Sequence, residues 1–269
     1  MPLVSISNAQ RMPLPNANFV ATVHHGLPLD LLTPNFEPKG GYLAFLGRIS
    51  PEKRPDRAIA IARSAGLPLK IAAKVDKADD SYFRDVIAPM LQGGGVEFVG
   101  EINENTKNDF LGQAAALLFP IDWPEPFGLV MIEAMACGTP VLAFRHGSVP
   151  EIVEDGLTGR IVSDVEEAVR AIPGLLALDR KAIRARFEER FSAARMSTDY
   201  VRLYQKMLRE HAASDGRLST LAARSAPPAD TDQKYHPQHG RIIETAIKPK
   251  SNIGGQRCRP VSIPVFPNQ

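Results

Sequence analysis

Residues 115–144 read AALLFPIDWPEPFGLVMIEAMACGTPVLAF, and this stretch decides the fold of the chain. Residues 115–119 and 141–144 are short apolar runs of strand length. Between them, residues 128–137 form a helical pattern of about ten residues. An apolar strand, a helix and a second apolar strand predict two parallel strands joined by a helical crossover.

The same alternation extends toward the N-terminus. The further predicted strands are residues 42–46, 69–73 and 96–99, and the further predicted helices are residues 55–64, 79–91 and 105–113. We therefore predict an α/β domain with a Rossmann-like, doubly wound parallel sheet. Such sheets bind ligands beyond the carboxyl ends of their strands, so we expect a site in the loops that follow the strands.

Four segments are expected along the chain. They are residues 1–38, the end of a preceding domain and its linker; residues 39–178, the sheet domain; residues 179–212, the C-terminal helices; and residues 213–269, a disordered tail. In the first segment, residues 4–7 and 19–23 have strand character but no helix of sufficient length between them, and two strands alone are marginally stable. In the third segment, Ser192 is the predicted N-cap of a helix that reaches Glu210.

Composition excludes several classes of protein. The chain has 269 residues, of which 44% are hydrophobic and 23% charged, as in ordinary globular proteins. Its net charge of +2 depends on the tail, where eight Lys or Arg face four Asp or Glu, so we expect no nucleic-acid partner. The longest apolar stretch, residues 114–121, is too short to span a membrane, and no signal peptide is indicated. Cys137 and Cys258 form neither a disulfide framework nor a metal cluster, which favours the cytoplasm.

The loop after the first predicted strand of the sheet carries two cations. It reads GRISPEKRPD over residues 47–56. Arg48 and Lys53 could clamp a diphosphate, because a planar guanidinium and a compact ammonium suit adjacent phosphates. Taken alone, this segment favours the alternative, an ordinary solvated loop with basic residues.

The loop at residues 122–128 leads into the helix predicted from Gly128. The free N–H groups at the start of that helix, and its positive dipole end, suit an anion. Glu133 lies about 7.5 Å along the helix, near where a ribose would lie if a diphosphate occupied the helix start. Glu125, on the other side of the helix start, could meet a transferred group. The alternative is that Glu133 is a surface charge and Glu125 a favourable partner of the helix dipole.

Three motifs together resemble those of a known family. Residues 125–133 read EPFGLVMIE, residues 47–56 read GRISPEKRPD, and residues 146–159 read HGSVPEIVEDGLTG. In this order and spacing they resemble the retaining glycosyltransferases of family 4, of the glycogen-synthase and sucrose-synthase type. The resemblance runs from about Val4 to Glu210 and implies the C-terminal, donor-binding half of a GT-B fold.

The resemblance implies a role for each matching residue. The implied catalytic residues are Arg48, Lys53 and Glu125, and the implied donor-binding residues are Gly47, Ile102, Phe127, Gly128, Leu129 and Glu133. Arg48 and Lys53 would neutralise the diphosphate of a nucleotide sugar, Glu133 would hold the ribose, and Glu125 would stabilise positive charge at the anomeric carbon. The segment 100–103 would touch the base. The family needs no cofactor and no metal, and front-side attack by the acceptor is its favoured mechanism.

The chain departs from the family because most of the N-terminal acceptor domain has no counterpart in it. We expect it to be the donor-binding half of a transferase that moves a hexosyl group, with a partner chain supplying the acceptor domain or a second copy covering the exposed face. The alternatives are a non-catalytic nucleotide-sugar-binding module and a protein-interaction module. For His24 and His25, on the link to the missing domain, a structural or hinge role is favoured over a catalytic one.

Overall fold

A computed structural model describes residues 1–224 of the chain, with side chains described as far as residue 213. Residues 1–218 form one compact unit, and residues 219–269 form a second unit of which only the end of a helix is described. Most of the predicted disordered tail, residues 225–269, lies outside the described residues.

Strands and helices alternate in the central part of the chain. The strands are β1 (Leu3–Ser5), β2 (Phe19–Thr22), β3 (Leu43–Arg48), β4 (Leu69–Lys74), β5 (Val96–Gly100), β6 (Ala116–Phe119), β7 (Val141–Phe144) and β8 (Gly159–Val162). The helices are α1 (Pro55–Ala65), α2 (Asp80–Tyr82), α3 (Ala88–Met90), α4 (Glu104–Gly112), α5 (Leu129–Ala136), α6 (Val149–Ile152), α7 (Val165–Leu176), α8 (Arg180–Phe191) and α9 (Ala193–Arg224).

Six strands form one parallel sheet in the order β5-β4-β3-β6-β7-β8. Within this sheet, β3 comes first in the sequence, and β4 and β5 add to one side of it. The chain then crosses to β6 on the other side of β3. The order reverses between β3 and β6, and a ligand crevice is expected beyond the carboxyl ends of strands at such a switch point. The two loops singled out in the sequence follow these two strands.

Apolar side chains cover both faces of the sheet, which confirms the predicted doubly wound α/β architecture. On one face, residues of α4, α5 and α8, such as Leu111, Ile132 and Phe187, pack against alternate strand residues. On the other face, residues of α1 and α7, such as Ile59 and Leu175, do the same. Every residue of β6 and β7 is buried, as expected for a parallel sheet with helices on both sides.

The helix predicted over residues 79–91 is interrupted. A five-residue π-helical turn, Phe83–Ile87, separates α2 from α3, and the Ala88 N–H bonds to the Phe83 carbonyl. Pro89 explains the interruption, because proline cannot donate a backbone hydrogen bond and its ring clashes with the carbonyl four residues earlier.

The N-terminal strands have more support than the sequence suggests. β1 and β2 pair with each other in parallel, and the segment between them docks on the sheet domain. The Ser7 hydroxyl donates to the Pro126 carbonyl. The backbone N–H groups of Asn8 and Ala9 donate to the Glu151 carboxylate at 2.7 and 2.8 Å. Residues 1–38 therefore contact the loop that carries Glu125.

The last helix begins where the sequence predicts. The Arg195 N–H donates to the Ser192 hydroxyl at 3.3 Å, as expected of an N-cap. α9 continues past Glu210 to Arg224, into the first residues of the predicted tail. Leu203 is buried, but Tyr204 and Leu208 are exposed.

Among the helices of the described residues, none combines the length and apolar character that crossing a bilayer requires.

Candidate functional site

A cleft of about 180 Å³ opens beyond the carboxyl ends of β3 and β6. Gly47 and Lys53 of the first loop line one side of it, and Glu125, Gly128 and Leu129 of the second loop line the other. The fold therefore brings five of the nine predicted site residues to one place, although their loops are about 70 residues apart in the chain.

Lys53 and Glu125 are in direct contact in this cleft. The Lys53 ammonium donates to Glu125 Oε2, and the Trp123 indole N–H donates to the same oxygen at 2.8 Å. The ammonium also lies 5.0 Å from the centre of the Trp123 ring, within cation–π range. Only 8% of Glu125 is exposed, and the paired charge offsets the cost of burying its carboxylate. Trp123 lies in the loop at residues 122–128, two residues before the motif, and its residue type alone gave no sign of this role.

Residues of the third motif hold the backbone around Glu125. The Ser148 N–H donates to the Glu125 carbonyl at 2.9 Å, and the Ser148 hydroxyl donates to the Phe127 carbonyl at 2.8 Å. Gly147 has φ +53°, and a Cβ there would overlap the backbone nitrogen and oxygen of Glu125. The two loops are thus packed backbone against backbone, which fixes the conformation of residues 125–127.

Gly128 is the N-cap of α5, which begins at Leu129, one residue later than predicted. Gly128 has φ +76°, and a Cβ would lie 2.7 Å from Met131 Cε and 3.0 Å from Phe119 Cζ, so this position requires glycine. The free N–H groups of α5 are at its N-terminal end, where Gly128 and Leu129 line the cleft.

Phe127 lies in the core and not in the cleft. Its side chain is 2% exposed and packs edge-on against His25, with the ring centres 4.9 Å apart. Phe127 therefore supports the loop by packing, and its side chain is not available to a ligand.

Glu133 has a partner from another element. Lys107 on α4 donates to the Glu133 carboxylate at 3.0 Å and also bonds to Glu104. The side chains of Lys107 and Glu133 are 14% and 15% exposed. Burial opposes the charge of Lys107, but the hydrogen bonds to the two carboxylates outweigh it and raise the pKa of the lysine. No motif marks Lys107, so sequence reasoning missed it.

Besides Phe127 and Glu133, two further predicted residues lie outside the cleft lining. Arg48 is about half exposed and pairs with Glu52, and that hydrogen bond raises the pKa of the guanidinium. Ile102 lines a different groove, of about 560 Å³, together with Thr106 and Phe110. Neither the Arg48 nor the Ile102 side chain lines the cleft.

Taken together, the fold and the cleft define a class of α/β domain: a parallel sheet with a lysine, a glutamate and a helix start around an anion-suited cleft at its switch point. Residues 33–191, more than half of the chain, match the family described as glycosyl transferases group 1. The chain belongs to this family.

The curated relatives are named as glycosyltransferases. The chain is 32% identical over 192 residues to a D-inositol 3-phosphate glycosyltransferase of Mycobacterium sp. (strain KMS), a match that covers 65% of this chain and 42% of that protein. The chain thus spans about two fifths of the length of the curated relatives that it matches.

Solved structures show the same architecture. AviGT4, a glycosyltransferase involved in avilamycin A biosynthesis, superposes with a TM-score of 0.67 at 25% identity over 77% of this chain and 64% of its own. HepE from Anabaena, in complex with UDP and glucose, gives a TM-score of 0.64 at 18% identity over 76% of this chain and 62% of its own, which is a likeness of fold alone.

Proposed function

We propose that the chain is the donor-binding part of a retaining glycosyltransferase of family 4, which transfers a hexosyl group from a nucleoside-diphosphate sugar to an acceptor. The observation that carries the proposal is the cleft at the switch point, where Lys53, Glu125 and the start of α5 meet. The named relatives, and a neighbour of the same fold that binds UDP and glucose, support it.

In this proposal the cleft stabilises the leaving group. When the bond between the anomeric carbon and the diphosphate oxygen breaks, negative charge develops on the phosphate nearest the sugar. Lys53 and the free N–H groups at Leu129 would meet that charge, with Arg48 acting from the rim. Donors already oriented toward a developing charge are usually the largest contribution to such catalysis.

The sugar end of the donor would lie against Glu125. Its carboxylate would stabilise the positive charge that grows on the anomeric carbon, while the acceptor hydroxyl attacks from the face that the diphosphate leaves. A new C–O bond forms there, and the hydroxyl proton passes to the departing phosphate oxygen. Binding of the ribose by Glu133 and of the base near the segment 100–103 would orient the donor for this step.

The acceptor side is part of the proposal as well. We propose that an acceptor domain outside this chain, from a partner chain or a second copy, completes the site. The cytoplasm is the proposed location, because Cys137 is a buried free thiol, as a reducing compartment allows.

Calorimetric titration of the purified chain with UDP, GDP and ADP tests the proposal. We expect one diphosphate to bind with a Kd on the order of micromolar, about −8 kcal/mol. Lys53→Ala and Glu133→Ala should weaken this binding at least tenfold. The matched control is Lys206→Ala, an exposed lysine on α9. Absence of binding for all three nucleotides would refute the proposal, and adding acceptors would separate transfer from binding alone.

A further inference from the structure

Arg54, which directly follows Lys53, has an unusual backbone conformation. Its φ of +54° and ψ of +52° place it in the left-handed region, and among the residues that the structure describes it is the only non-glycine residue with positive φ. Side chains with a Cβ are strained there, because the Cβ lies too close to the following carbonyl. Such a strained conformation persists only where surrounding contacts hold it, and here it lies beside a predicted catalytic lysine.

The guanidinium of Arg54 joins the two loops of the cleft. Its Nε and Nη2 donate to the two oxygens of Asp56, at 2.9 and 2.7 Å, on the first turn of α1. Its Nη1 donates to Asp122 Oδ2 at 2.8 Å. Asp122 stands three residues before Glu125, at the start of the second loop. We call Arg54, Asp56 and Asp122 the arginine clamp.

Neighbouring groups reinforce the clamp. Arg57 donates to the same Asp122 oxygen at 2.9 Å, and the Tyr82 hydroxyl donates to Asp56 at 2.8 Å. Burial alone would raise the pKa of Asp56, but the bonds from Arg54 and Tyr82 outweigh it and lower that pKa. The hydrogen bonds to Asp56 likewise raise the pKa of Arg54, so the charged forms of Arg54 and Asp56 are favoured.

The clamp lies directly beside Lys53. On one side of Lys53 the Asp122 N–H donates to the Glu52 carbonyl at 2.9 Å, and on the other side Arg54 bonds to the Asp122 side chain. The first loop is thus tied to the second through the residues immediately before and after Lys53. Between these ties the Lys53 side chain reaches Glu125.

We propose that Arg54 is a positioning residue of the donor site: the arginine clamp holds the first loop against the second, so that the Lys53 ammonium stays at Glu125 and at the donor diphosphate. This inference rests on the proposed function. It also gives the backbone of Arg54 a role, because in this left-handed conformation one guanidinium reaches both aspartates.

Three variants separate the clamp from general stability. Arg54→Gly accepts the backbone conformation but removes the guanidinium. Arg54→Lys keeps the charge and the strain but lacks the planar fork. Asp122→Asn keeps the shape and loses the charge. The matched control is Arg170→Ala, which removes an exposed arginine that pairs within its own helix.

The first measurement needs no ligand. Trp123 is the single tryptophan of the chain and touches both Lys53 and Glu125, so its fluorescence reports the position of the two loops. At a temperature well below the Tm of every variant, we expect Arg54→Gly and Asp122→Asn to increase quenching of Trp123 by acrylamide, and Arg170→Ala to change nothing. Unchanged quenching in Arg54→Gly would overturn the clamp.

The second measurement compares each nucleoside diphosphate (UDP, GDP, ADP) with its monophosphate. A misplaced Lys53 weakens only the contribution of the second phosphate, so Arg54→Gly should lower the preference for the diphosphate about tenfold and leave the monophosphate affinity unchanged. Arg54→Lys should not restore the preference, and adding Asp122→Asn to Arg54→Gly should cost nothing further. An equal loss for both ligands would mean a merely structural role and would overturn the inference.

The outcomes also distinguish this inference from the proposed function. If the wild-type chain binds no diphosphate, the proposed function and the clamp fail together. If it binds one, and Lys53→Met loses the preference while Arg54→Gly keeps it, the clamp alone fails.

Discussion

The two glutamates predicted to hold the donor are each neutralised by a lysine that is distant in sequence. Glu125 contacts Lys53, and Glu133 contacts Lys107. In both pairs the side chains are largely buried, so the geometry of each carboxylate depends on its partner. Removing one member of a buried pair is costly, because the other charge stays buried without compensation.

At the residue scale, the first prediction concerns Lys107. Lys107→Met keeps an apolar stem of similar length but removes the charge beside Glu133. We expect the affinity for the bound nucleoside diphosphate to fall roughly tenfold, about 1.4 kcal/mol, because the carboxylate is no longer held for the ribose hydroxyls. Calorimetric titration of the variant and of the wild-type chain measures this loss of affinity.

Two controls accompany this variant. Lys206→Met removes a lysine that is 64% exposed and should change nothing. A 2′,3′-dideoxy nucleoside diphosphate lacks the hydroxyls, so the Lys107→Met variant and the wild-type chain should bind it equally. An equal loss of affinity for both nucleotides would assign Lys107 to folding and not to the ribose.

At the scale of elements, the third motif supports the second. Gly147 and Ser148 fix the backbone of residues 125–127, and Glu151 fixes the N-terminal segment. The third motif therefore acts through the backbone contacts that it makes with the loop at residues 125–127 and with residues 8 and 9.

The second prediction compares two glycines with similar backbone conformations. Gly147 and Gly41 have φ of +53° and +62°, but a Cβ at Gly147 would overlap Glu125, whereas a Cβ at Gly41 meets nothing within 4 Å. Gly41→Ala should lower the free energy of unfolding by about 1 kcal/mol, from the backbone conformation alone. Gly147→Ala should lower it by roughly 3 kcal/mol or more. If urea unfolding gave equal losses of unfolding free energy for the two variants, the loop around Glu125 would be able to move aside for the added methyl group, and the prediction would be wrong.

The third prediction concerns how the N-terminal strands are held. Glu151→Gln leaves one carbonyl oxygen where two carboxylate oxygens accept from Asn8 and Ala9. We expect amide hydrogen exchange in β1 and β2 to accelerate about tenfold, since a charged hydrogen bond contributes about 1.5–3 kcal/mol. Exchange in the central strands should stay unchanged. Glu97→Gln, at a residue whose side chain is 60% exposed, is the control, and faster exchange throughout the chain would contradict local anchoring.

At the scale of the whole molecule, the sheet was predictable because apolar runs between turn residues specify buried parallel strands. β3, β6 and β7 fall within two residues of their predicted bounds, and the carboxyl-end rule located the loops. Contacts between distant segments were not predictable: Lys107 against Glu133, the arginine clamp, and the docking of residues 7–9 on Glu151. Each depends on which loops the finished sheet brings together, and the residue types involved are common on any surface.

The link between the N-terminal strands and the sheet domain also creates a pH dependence. His24 packs against the rings of Phe127 and Phe191, with centre distances of 5.9 and 6.1 Å, and His25 packs on Phe127. Burial lowers the pKa of both histidines below 6.5, and for His24 the contact with Glu151 opposes this only in part. These residues therefore favour the neutral form in the folded chain.

The fourth prediction follows from the sign of that shift. Below a pH of about 6.5 the unfolded chain takes up protons that the folded chain resists, so the free energy of unfolding should fall as the pH drops below this value and be independent of these histidines above it. The double variant His24→Gln/His25→Gln should lose less stability between pH 7.5 and pH 5.5 than the wild-type chain, as measured by urea unfolding at both pH values. If the double variant lost as much stability as the wild-type chain between these two pH values, the acid sensitivity would come from other titratable groups and not from His24 and His25.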